Sequence, residues 1–318
     1  MSKLAIIFGI SGQDGAYLSN FLLKKEYKVI GVARSKKLIN LKILGIKNKI
    51  NIKYLNINCA SDVFLFLKKY IADEIYFFSG QSSVFNSYSK FEETFSSNVD
   101  NFVNVLEAIR ILKRKTKIFY ACSSEVFGYV QNKKFNENSQ HNPLSAYALS
   151  KSISFEIAKS YRIMFGVNVC CGILFNHESI LRNDNYVIKK ISNYIKKIFH
   201  HKKKKLILGN INISRDWGWA PEYVEIIWRI LNNKKEETLK DYIIATGYTT
   251  SLRKVLELFF KKFNLNWKNF VLSDKLFVRS KDIIENKANI KFMKSNLNVY
   301  PKIRINEIVN KFINNKFF

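Results

Sequence analysis

The segment AIIFGISGQDGAY, residues 5–17, constrains the fold more than any other part of the chain. An apolar run of strand length leads into Gly9, Gly12 and Gly15, and a helix-like segment follows directly. Glycines at this spacing allow a tight turn in which the backbone approaches a pyrophosphate at a helix N-terminus. Such a turn after the first strand predicts a dinucleotide-binding α/β sheet, and an ordinary glycine turn is the alternative interpretation.

The hydrophobic pattern of the first half alternates between strand-length runs and longer amphipathic segments. Strands are predicted at residues 3–8, 27–32, 74–78 and 117–122, and helices at 15–25, 62–70 and 98–112. This alternation indicates a Rossmann-like, doubly wound parallel sheet. After about residue 175, helix-like segments at 187–199 and 251–263 mix with short strands, which suits a smaller, mixed α/β substrate domain. We expect domains at 1–175 and 176–318, with 216–244 returning to the first.

The formal net charge of +28 raises the question of a polyanionic partner. The lysines are spread along the whole chain, and the densest run, HHKKKK at residues 200–205, lies between a helix-like and a strand-like segment. Because the basic residues form no tail or stripe, the sequence predicts no specific nucleic-acid partner.

Membrane and metal partners are not expected either. No stretch of about 18 residues is apolar and free of charge, and the first apolar run lacks the features of a secretory signal. The cysteines, at Cys59, Cys122, Cys170 and Cys171, lack the paired spacing of a zinc site. We therefore expect a cytoplasmic protein with reduced core thiols and no metal.

The end of the second predicted strand selects the cofactor. The run KVIGVA is followed by Arg34, Ser35, Lys36 and Lys37. An NAD site usually has a carboxylate at this place for the ribose hydroxyl, whereas a guanidinium matches a 2′-phosphate. The sequence predicts NADP, and surface cations of a lysine-rich protein are the alternative.

A tyrosine with a lysine four residues later is the acid/base pair typical of short-chain dehydrogenases. The pattern Y-x-x-x-K occurs at Tyr129/Lys133, Tyr147/Lys151 and Tyr186/Lys190. Only Tyr147 follows a turn-rich loop and opens a helix behind the strand IFYACSSE. The spacing puts Tyr147 and Lys151 on one helix face, where the ammonium is expected to lower the pKa of the phenol.

The strand before this helix ends in Ser123, Ser124 and Glu125. Strand ends at the carboxyl edge of such a sheet meet ligands, so Ser123 can hydrogen-bond a substrate hydroxyl beside Tyr147. The carboxylate of Glu125 suggests a second proton transfer, from a carbon that a neighbouring ketone has made acidic. On these residues alone, a helix cap or an ion-pair partner explains Glu125 equally well.

Longer segments resemble the GDP-mannose 4,6-dehydratases, a family of the extended short-chain dehydrogenase/reductase type. They read GISGQDGAYL, DEIYFFSGQSSV, SSEVFG, YRIMFGVNVCCGILFNHES, ISRDWGWAPEYVE and YIIATGYTTSLRKVLE, in the right order from residue 3 to about 285. The pair ILFNHES and RDWG distinguishes this family from epimerases and reductases of the same fold. The resemblance implies dehydration of GDP-mannose through NADP-mediated oxidation at C4, water loss across C5 and C6, and hydride return to C6.

The resemblance also implies roles for individual positions. The catalytic group comprises Ser123, Glu125, Tyr147 and Lys151. The cofactor contacts are Gly9, Gly12, Gln13, Asp14, Gly15, Arg34, Ser79, Gln81, Tyr147, Lys151, His177 and Arg182. The positions for a GDP-sugar are Asn176, Val187, Lys190, Gly209, Arg215, Arg253 and Arg279.

The chain departs from the family pattern at several positions. Ala146 stands where a proline precedes the catalytic tyrosine, Asn101 where glycine is common, Phe77-Phe78 where Asn-Leu is usual, and Ser280 where a proline follows Arg279. The arginine-rich loop that helps many members form tetramers is reduced to RSKKLINLKILGI. A homodimer or a homotetramer is expected.

Two other functions remain open at this point. The first is a 4,6-dehydratase of another GDP-sugar such as a GDP-heptose, with the same proton and hydride steps. The second is a non-catalytic, basic polyanion-binding relic of the fold. A reductase or an epimerase fits less well because neither needs Glu125.

Overall fold

The computed structural model describes residues 2–130, 134–198, 205–235, 238–274 and 283–318. The strands are β1 Leu4–Phe8, β2 Lys28–Ala33, β3 Asn51–Tyr54, β4 Glu74–Phe77, β5 Lys117–Ser123, β6 Lys134–Phe135, β7 Val169–Leu174, β8 Asn176–Glu178, β9 Leu206–Leu208, β10 Ser214–Trp219, β11 Tyr242–Ile244, β12 Thr249–Ser251, β13 Val271–Ser273 and β14 Lys287–Ala288. The α-helices are α1 Gln13–Lys24, α2 Ile39–Ile43, α3 Ala60–Lys69, α4 Val84–Ser87, α5 Phe91–Phe95, α6 Asn101–Ile111, α7 Ala146–Phe165, α8 Val187–Lys196, α9 Ala220–Leu231, α10 Leu252–Lys261, α11 Lys291–Leu297 and α12 Ile305–Ile313.

Seven strands form one parallel sheet in the order β11-β7-β5-β4-β1-β2-β3. Helices cover both faces of a doubly wound sheet, and β4 and β7 are therefore buried along their whole length and apolar except for Glu74 at the start of β4. The prediction of a Rossmann-like parallel sheet is confirmed. The strand order reverses between β1 and β4, and ligands of such sheets bind in the crevice at the carboxyl ends of these strands.

The helix predicted at residues 98–112 begins later than expected. A π-helical turn, Ser96–Asp100, precedes α6. The buried Asn98 side chain donates to the Gln81 carbonyl oxygen at 3.1 Å and to Ser150 Oγ at 2.9 Å. The amide of Asn101 donates to the Ser97 carbonyl oxygen at 3.4 Å. These contacts hold the backbone where the extra residue of the π-turn is accommodated.

The hydrophobic residues form two clusters. The larger surrounds the parallel sheet and includes Val224, Ile227 and Leu231 of α9, which packs against α1. The smaller is built mainly by α8, α10 and α12 together with Trp217 and Trp219 of β10. A domain boundary near residue 175, with 216–244 returning to the first domain, stays a prediction.

The thiols of Cys122, Cys170 and Cys171 are free and buried in β5 and β7, and Cys59 is half-buried before α3. Within the described ranges, the helices are all too short or too polar to span a bilayer.

Candidate functional site

The glycine turn lies between β1 and α1 at the carboxyl edge of the sheet. Gly9 adopts a φ of +84°, and Gly12 donates its N–H to the Gly9 carbonyl oxygen at 3.0 Å. A Cβ on Gly15 would lie 2.5 Å from that oxygen and 2.8 Å from Ile10 Cα, so the turn and the helix can meet only at a glycine. Around Gly12 the nearest atom to a Cβ is the same oxygen, at 3.3 Å. The free side of Gly12 and the start of α1 therefore fit a pyrophosphate.

Alanine at Gly15 and at Gly12 is expected to have different effects. Gly15→Ala forces a Cβ against backbone atoms that cannot yield, so the free energy of unfolding should fall by about 1–3 kcal/mol. Gly12 has a φ of −72°, which alanine adopts without strain, so its unfolding free energy should change by less than about 1 kcal/mol. Gly12→Ala should still weaken dinucleotide binding about tenfold or more, because its Cβ occupies the pyrophosphate side.

Urea unfolding of the cofactor-free variants and titration with dinucleotide separate these two effects. Unchanged dinucleotide affinity in Gly12→Ala would show that the turn does not face the pyrophosphate.

Several predicted cofactor contacts converge beside α1. His177 Nε2 lies 3.0 Å from both carboxylate oxygens of Asp14. Burial acts to raise the pKa of Asp14, but the charge and hydrogen bond of His177, together with Arg182, hold it below its ordinary value. Gln13 donates to the His177 carbonyl oxygen at 3.3 Å and accepts a 2.7 Å hydrogen bond from Ser179 Oγ. The structure thus brings Gln13, Asp14, His177 and Arg182 together, although β8 and the start of α1 are far apart in sequence.

Ser79 and Gln81 follow β4 on the other side of the glycine turn. A Cβ on Gly9 would meet the Ser79 nitrogen at 2.8 Å, so the two loops are in direct backbone contact. Gln81 Nε2 donates to the Ser83 carbonyl oxygen at 2.8 Å and to Thr94 Oγ1 at 3.2 Å. Arg34 is exposed directly after β2, at the same edge of the sheet. This arrangement extends the candidate dinucleotide site across β1, β2 and β4.

Tyr147 lies in the first turn of α7, where Ser145 Oγ caps the helix by accepting from the Ala148 N–H at 3.1 Å. The phenol is buried and hydrogen-bonded to Ser123, the last residue of β5. Burial raises the pKa of Tyr147 above its ordinary value, and the hydrogen bond with Ser123 offsets this only in part. The prediction that the Lys151 ammonium lowers the pKa of the phenol is wrong for this structure, because the pKa is raised and Lys151 is not among the groups that shift it.

The Lys151 side chain is buried like the Tyr147 phenol. Its Nζ donates to the Ala121 carbonyl oxygen at 2.8 Å and lies 4.7 Å from the centre of the Tyr120 ring. Burial lowers the pKa of Lys151 to about 8, because a desolvated ammonium is costly and the nearby Cys122 and Cys171 offset this only in part.

This pKa predicts a pH-dependent stability. The folded-state pKa of Lys151 is about 8 against an ordinary 10.5, so the cost of burying its charge is fully present below pH 8 and disappears as the pH rises towards 10.5. Lys151→Met should stabilise the cofactor-free protein by about 1–3 kcal/mol at pH 7, and the gain should shrink steadily above pH 8. Urea unfolding across this pH range measures it. Exposed Lys159 provides the matched control, Lys159→Met. A gain that does not depend on pH would contradict the assignment.

Glu125 lies in a short 3-10 turn, Ser124–Phe127, that follows β5. The cap of this turn is Ser123 Oγ, which accepts from the Glu125 N–H at 3.3 Å, so the Glu125 carboxylate is not needed for capping. The carboxylate lies close enough to Tyr147 to contribute to its raised pKa, after burial and other neighbours. Ser123 and Glu125 at the end of β5 and Tyr147 at the start of α7 therefore lie near one another at the carboxyl edge of the sheet.

The other Y-x-x-x-K patterns have different surroundings. Tyr186 precedes α8 and is 2.7 Å from Ser82 Oγ, and Lys190 Nζ donates to the Ile207 carbonyl oxygen at 2.7 Å. Tyr129 follows the Glu125 turn, and its partner Lys133 lies outside the described residues.

The residues assigned to a GDP-sugar are distributed around the smaller cluster. Asn176 opens β8, Val187 opens α8, and Gly209 follows β9, where its carbonyl oxygen accepts from Ser273 Oγ at 2.8 Å. A cavity of about 420 Å³ near Gly209 is lined by Ile207, Leu272, Ser273 and Asp274.

Two of the three predicted arginines lie in described segments. Arg215 is buried in β10 and donates to the Ile283 carbonyl oxygen at 2.6 Å, whereas exposed Arg253 donates to Asn212 Oδ1 at 2.8 Å. Arg279, Ser280 and most of the basic run at 200–205 lie outside the described residues. In the described part of the chain, no group of three or more His, Cys, Asp or Glu side chains is placed to hold a metal.

The sequence interpretation missed Asp216 of the RDWG segment. This buried carboxylate accepts hydrogen bonds from the Thr246 N–H at 3.0 Å, Thr246 Oγ1 at 2.7 Å and the Gly247 N–H at 2.7 Å. Burial raises its pKa to about 6. The signal was a carboxylate directly before the apolar end of the strand, Trp217–Trp219, and its role is to hold the loop that follows β11.

Comparison with known proteins gives a consistent family. Residues 6–312 match the family model described as GDP-mannose 4,6 dehydratase. The chain is 34% identical over 320 positions to GDP-mannose 4,6 dehydratase 1 of Arabidopsis thaliana, covering 96% of this chain and 88% of that relative. It is 36% identical over 266 positions to GDP-mannose 4,6-dehydratase of Vibrio cholerae serotype O1, covering 80% and 70%.

Solved structures share the fold at much lower identity. A dTDP-glucose 4,6-dehydratase from Streptomyces venezuelae with NAD and TYD bound has a TM-score of 0.85 at 17% identity, covering 98% of this chain and 97% of that one. RMD from Pseudomonas aeruginosa complexed with NADPH has a TM-score of 0.81 at 17% identity, covering 98% of both chains.

Proposed function

The chain belongs to the GDP-mannose 4,6-dehydratase family, and from this premise we propose that it converts GDP-mannose to GDP-4-dehydro-6-deoxymannose with NADP as its bound cofactor. The observation that carries the proposal is the proximity of Ser123, Glu125 and Tyr147 at the sheet edge that also holds the glycine turn. A hydroxyl, a carboxylate and a phenol near one another supply two separate proton transfers, which a dehydration needs and a simple alcohol oxidation does not.

A nicotinamide dinucleotide, when bound, supplies reversible hydride storage for the sugar. The residues that would hold it are the glycine turn, the Gln13–Asp14–His177 group and the loop of Ser79 and Gln81. Arg34 supports NADP, because its guanidinium suits a 2′-phosphate and a carboxylate is absent from the run Arg34–Lys37. The structural neighbours contain NAD in one case and NADPH in another, which supports the class of cofactor.

The first proton transfer belongs to Tyr147. Its phenol is placed to receive the proton of the sugar C4 hydroxyl, and Ser123 orients that hydroxyl by hydrogen bonding. Lys151, with a pKa of about 8, is mainly charged at pH 7 and lies one helical turn from Tyr147, where it would contact a bound dinucleotide.

The second proton transfer belongs to Glu125. Oxidation at C4 makes the proton on C5 acidic, and the Glu125 carboxylate removes it. The same carboxyl then protonates the C6 hydroxyl, which leaves as water, so Glu125 ends in its starting state. When C6 is reduced, C5 regains a proton, and the Tyr147 phenol supplies the one it took from the C4 hydroxyl, so Tyr147 is restored as well. Burial of Tyr147 and Ser123 limits the access of bulk water to the reacting sugar.

The sugar nucleotide is held from the side of the smaller hydrophobic cluster. Arg215 and Arg253 supply guanidinium donors suited to a diphosphate, and the cavity near Lys190 and Gly209 offers room for the rest of the nucleotide. We further propose that the protein is cytoplasmic and forms a homodimer or a homotetramer. The free thiols of Cys122 and Cys170 support the cytoplasm, because thiols stay reduced there.

Mass spectrometry of the purified protein tests the reaction. GDP-mannose, a GDP-heptose and dTDP-glucose are each mixed with the protein without added cofactor, and the dinucleotide released by denaturation is identified. Loss of one water from GDP-mannose, with NADP released, is the expected result. Loss from the GDP-heptose alone would keep the mechanism and change the substrate. No loss from any substrate, even with added NADP⁺, would overturn the proposed activity.

A further inference from the structure

One of the side-chain hydrogen bonds between the two halves of the candidate site joins the loop after β4 to the start of α8. Ser82 Oγ and Tyr186 Oη are 2.7 Å apart, although the residues are separated by 104 positions. Ser82 lies between β4, a strand of the larger hydrophobic cluster, and α4. Tyr186 lies directly before α8, whose buried isoleucines belong to the smaller cluster. The bond therefore crosses from the dinucleotide side to the sugar-nucleotide side.

Both ends of this bond are anchored. On one side, Gln81 is fixed through its side-chain hydrogen bond to Thr94 and through its carbonyl oxygen, which accepts from Asn98 Nδ2 at 3.1 Å. On the other side, the Tyr186 N–H donates to the Asn183 carbonyl oxygen at 3.1 Å, and its carbonyl oxygen accepts from the Lys190 N–H at 2.8 Å. Breaking the bond would release a connection between two ordered segments.

Arg182 couples the Tyr186 ring to the dinucleotide side. Its guanidinium lies 3.7 Å from the centre of the Tyr186 ring, a close cation–π contact. Arg182 Nε is 3.8 Å from a Glu178 carboxylate oxygen, and Arg182 also helps to lower the pKa of Asp14. Tyr186 is near enough to Tyr147 to contribute to the raised pKa of that phenol. Arg182 and Tyr186 therefore both lie within electrostatic reach of the catalytic tyrosine.

We propose that the Ser82–Tyr186 hydrogen bond is a clasp that holds the start of α8 against the active site while the sugar intermediate is retained. This inference rests on the proposed dehydration, in which a 4-keto sugar with a C5–C6 double bond must stay bound until C6 is reduced. Escape of that intermediate would leave the cycle unfinished. Tyr186 and Ser82 are thus positioning residues, which act by keeping the site closed.

Hydrogen–deuterium exchange tests the clasp without any turnover. Tyr186→Phe keeps the ring and its contact with Arg182 but removes the hydroxyl, and Ser82→Ala removes the other partner. Each variant should speed amide exchange in residues 183–190 by about fivefold, the effect of losing one hydrogen bond. The double variant should match the single variants, because both remove the same interaction. Tyr194→Phe is the matched control, since that phenol on α8 donates to the Phe270 carbonyl oxygen at 3.5 Å within the smaller cluster.

Turnover supplies the second measurement. Both single variants should raise the KM for GDP-mannose and release a sugar nucleotide lighter than the normal product by one hydrogen molecule, whereas Tyr194→Phe should release none. Exchange rates equal to wild type, or additive effects in the double variant, would overturn the clasp. Faster exchange with no released intermediate would overturn its role in retention. An inactive wild-type protein would instead overturn the proposed function. The exchange experiment would still show whether the Ser82–Tyr186 hydrogen bond holds residues 183–190 in place, because it needs no turnover.

Discussion

Replacing Tyr147 with phenylalanine is expected to lower kcat for the dehydration of GDP-mannose by about 10²–10⁴-fold, the usual contribution of a general acid/base. The phenol is buried beside Ser123 at the end of β5, where we propose that it takes the proton of the C4 hydroxyl. Phenylalanine keeps the ring and its packing in the first turn of α7. The variant should therefore bind GDP-mannose normally and stop before oxidation. Mass spectrometry of the reaction mixture and calorimetric titration measure the two properties.

The matched control is Tyr129→Phe, because Tyr129 begins another Y-x-x-x-K pattern on a segment that follows the Glu125 turn. Its kcat should stay within about twofold of wild type. If Tyr147→Phe retained more than a tenth of the wild-type kcat, another group would have to take the C4 proton.

The sheet could be predicted because the hydrophobic pattern of its strands is visible in the sequence. The runs that form β1, β4 and β5 are apolar apart from polar residues at the ends of β4 and β5, as expected for a parallel sheet covered on both faces, and the glycine turn fixed the first connection. The π-turn at Ser96–Asp100 was not predictable, because it depends on contacts of Asn98 with Gln81 and Ser150, which no local pattern encodes.

Some residues of the candidate site could likewise be predicted from local sequence features, and others could not. Tyr147 was separated from the other Y-x-x-x-K matches by its place after a turn and at a helix start, both local features. The pairing of Asp14 with His177 joins residues 163 positions apart, so only the resemblance to a family indicated it. The clasp between Ser82 and Tyr186 had no signal of its own, since serine and tyrosine are common surface residues.

The sign of the pKa shift at Tyr147 shows the limit of spacing arguments. A spacing of four residues places Lys151 on the same helix face as Tyr147, and that much follows from helix geometry. Whether the ammonium or burial dominates depends on the surroundings, and here Lys151 Nζ donates to the Ala121 carbonyl oxygen in a buried site. Burial raises the pKa of the phenol and lowers that of the lysine.

Replacing Glu125 with glutamine should have an effect of similar size at a different step. The amide cannot accept the C5 proton, so water loss should slow by about 10²–10⁴-fold while oxidation at C4 continues. Acid-quenched mixtures examined by mass spectrometry should contain a 4-keto sugar nucleotide that has kept its C6 hydroxyl. The bound cofactor should be retained, because Glu125 lies in the turn after β5 and not in the glycine turn.

The control for this variant is Glu156→Gln, which changes an exposed carboxylate on α7 and should leave kcat unchanged. Full turnover by Glu125→Gln would exclude Glu125 as the base. The two active-site variants also order the steps: if Tyr147 acts first, the double variant must behave like Tyr147→Phe and accumulate no keto sugar. Accumulation of keto sugar in the double variant would instead mean that oxidation at C4 proceeds without the phenol, and Tyr147 would lose its assigned role while Glu125 kept its own.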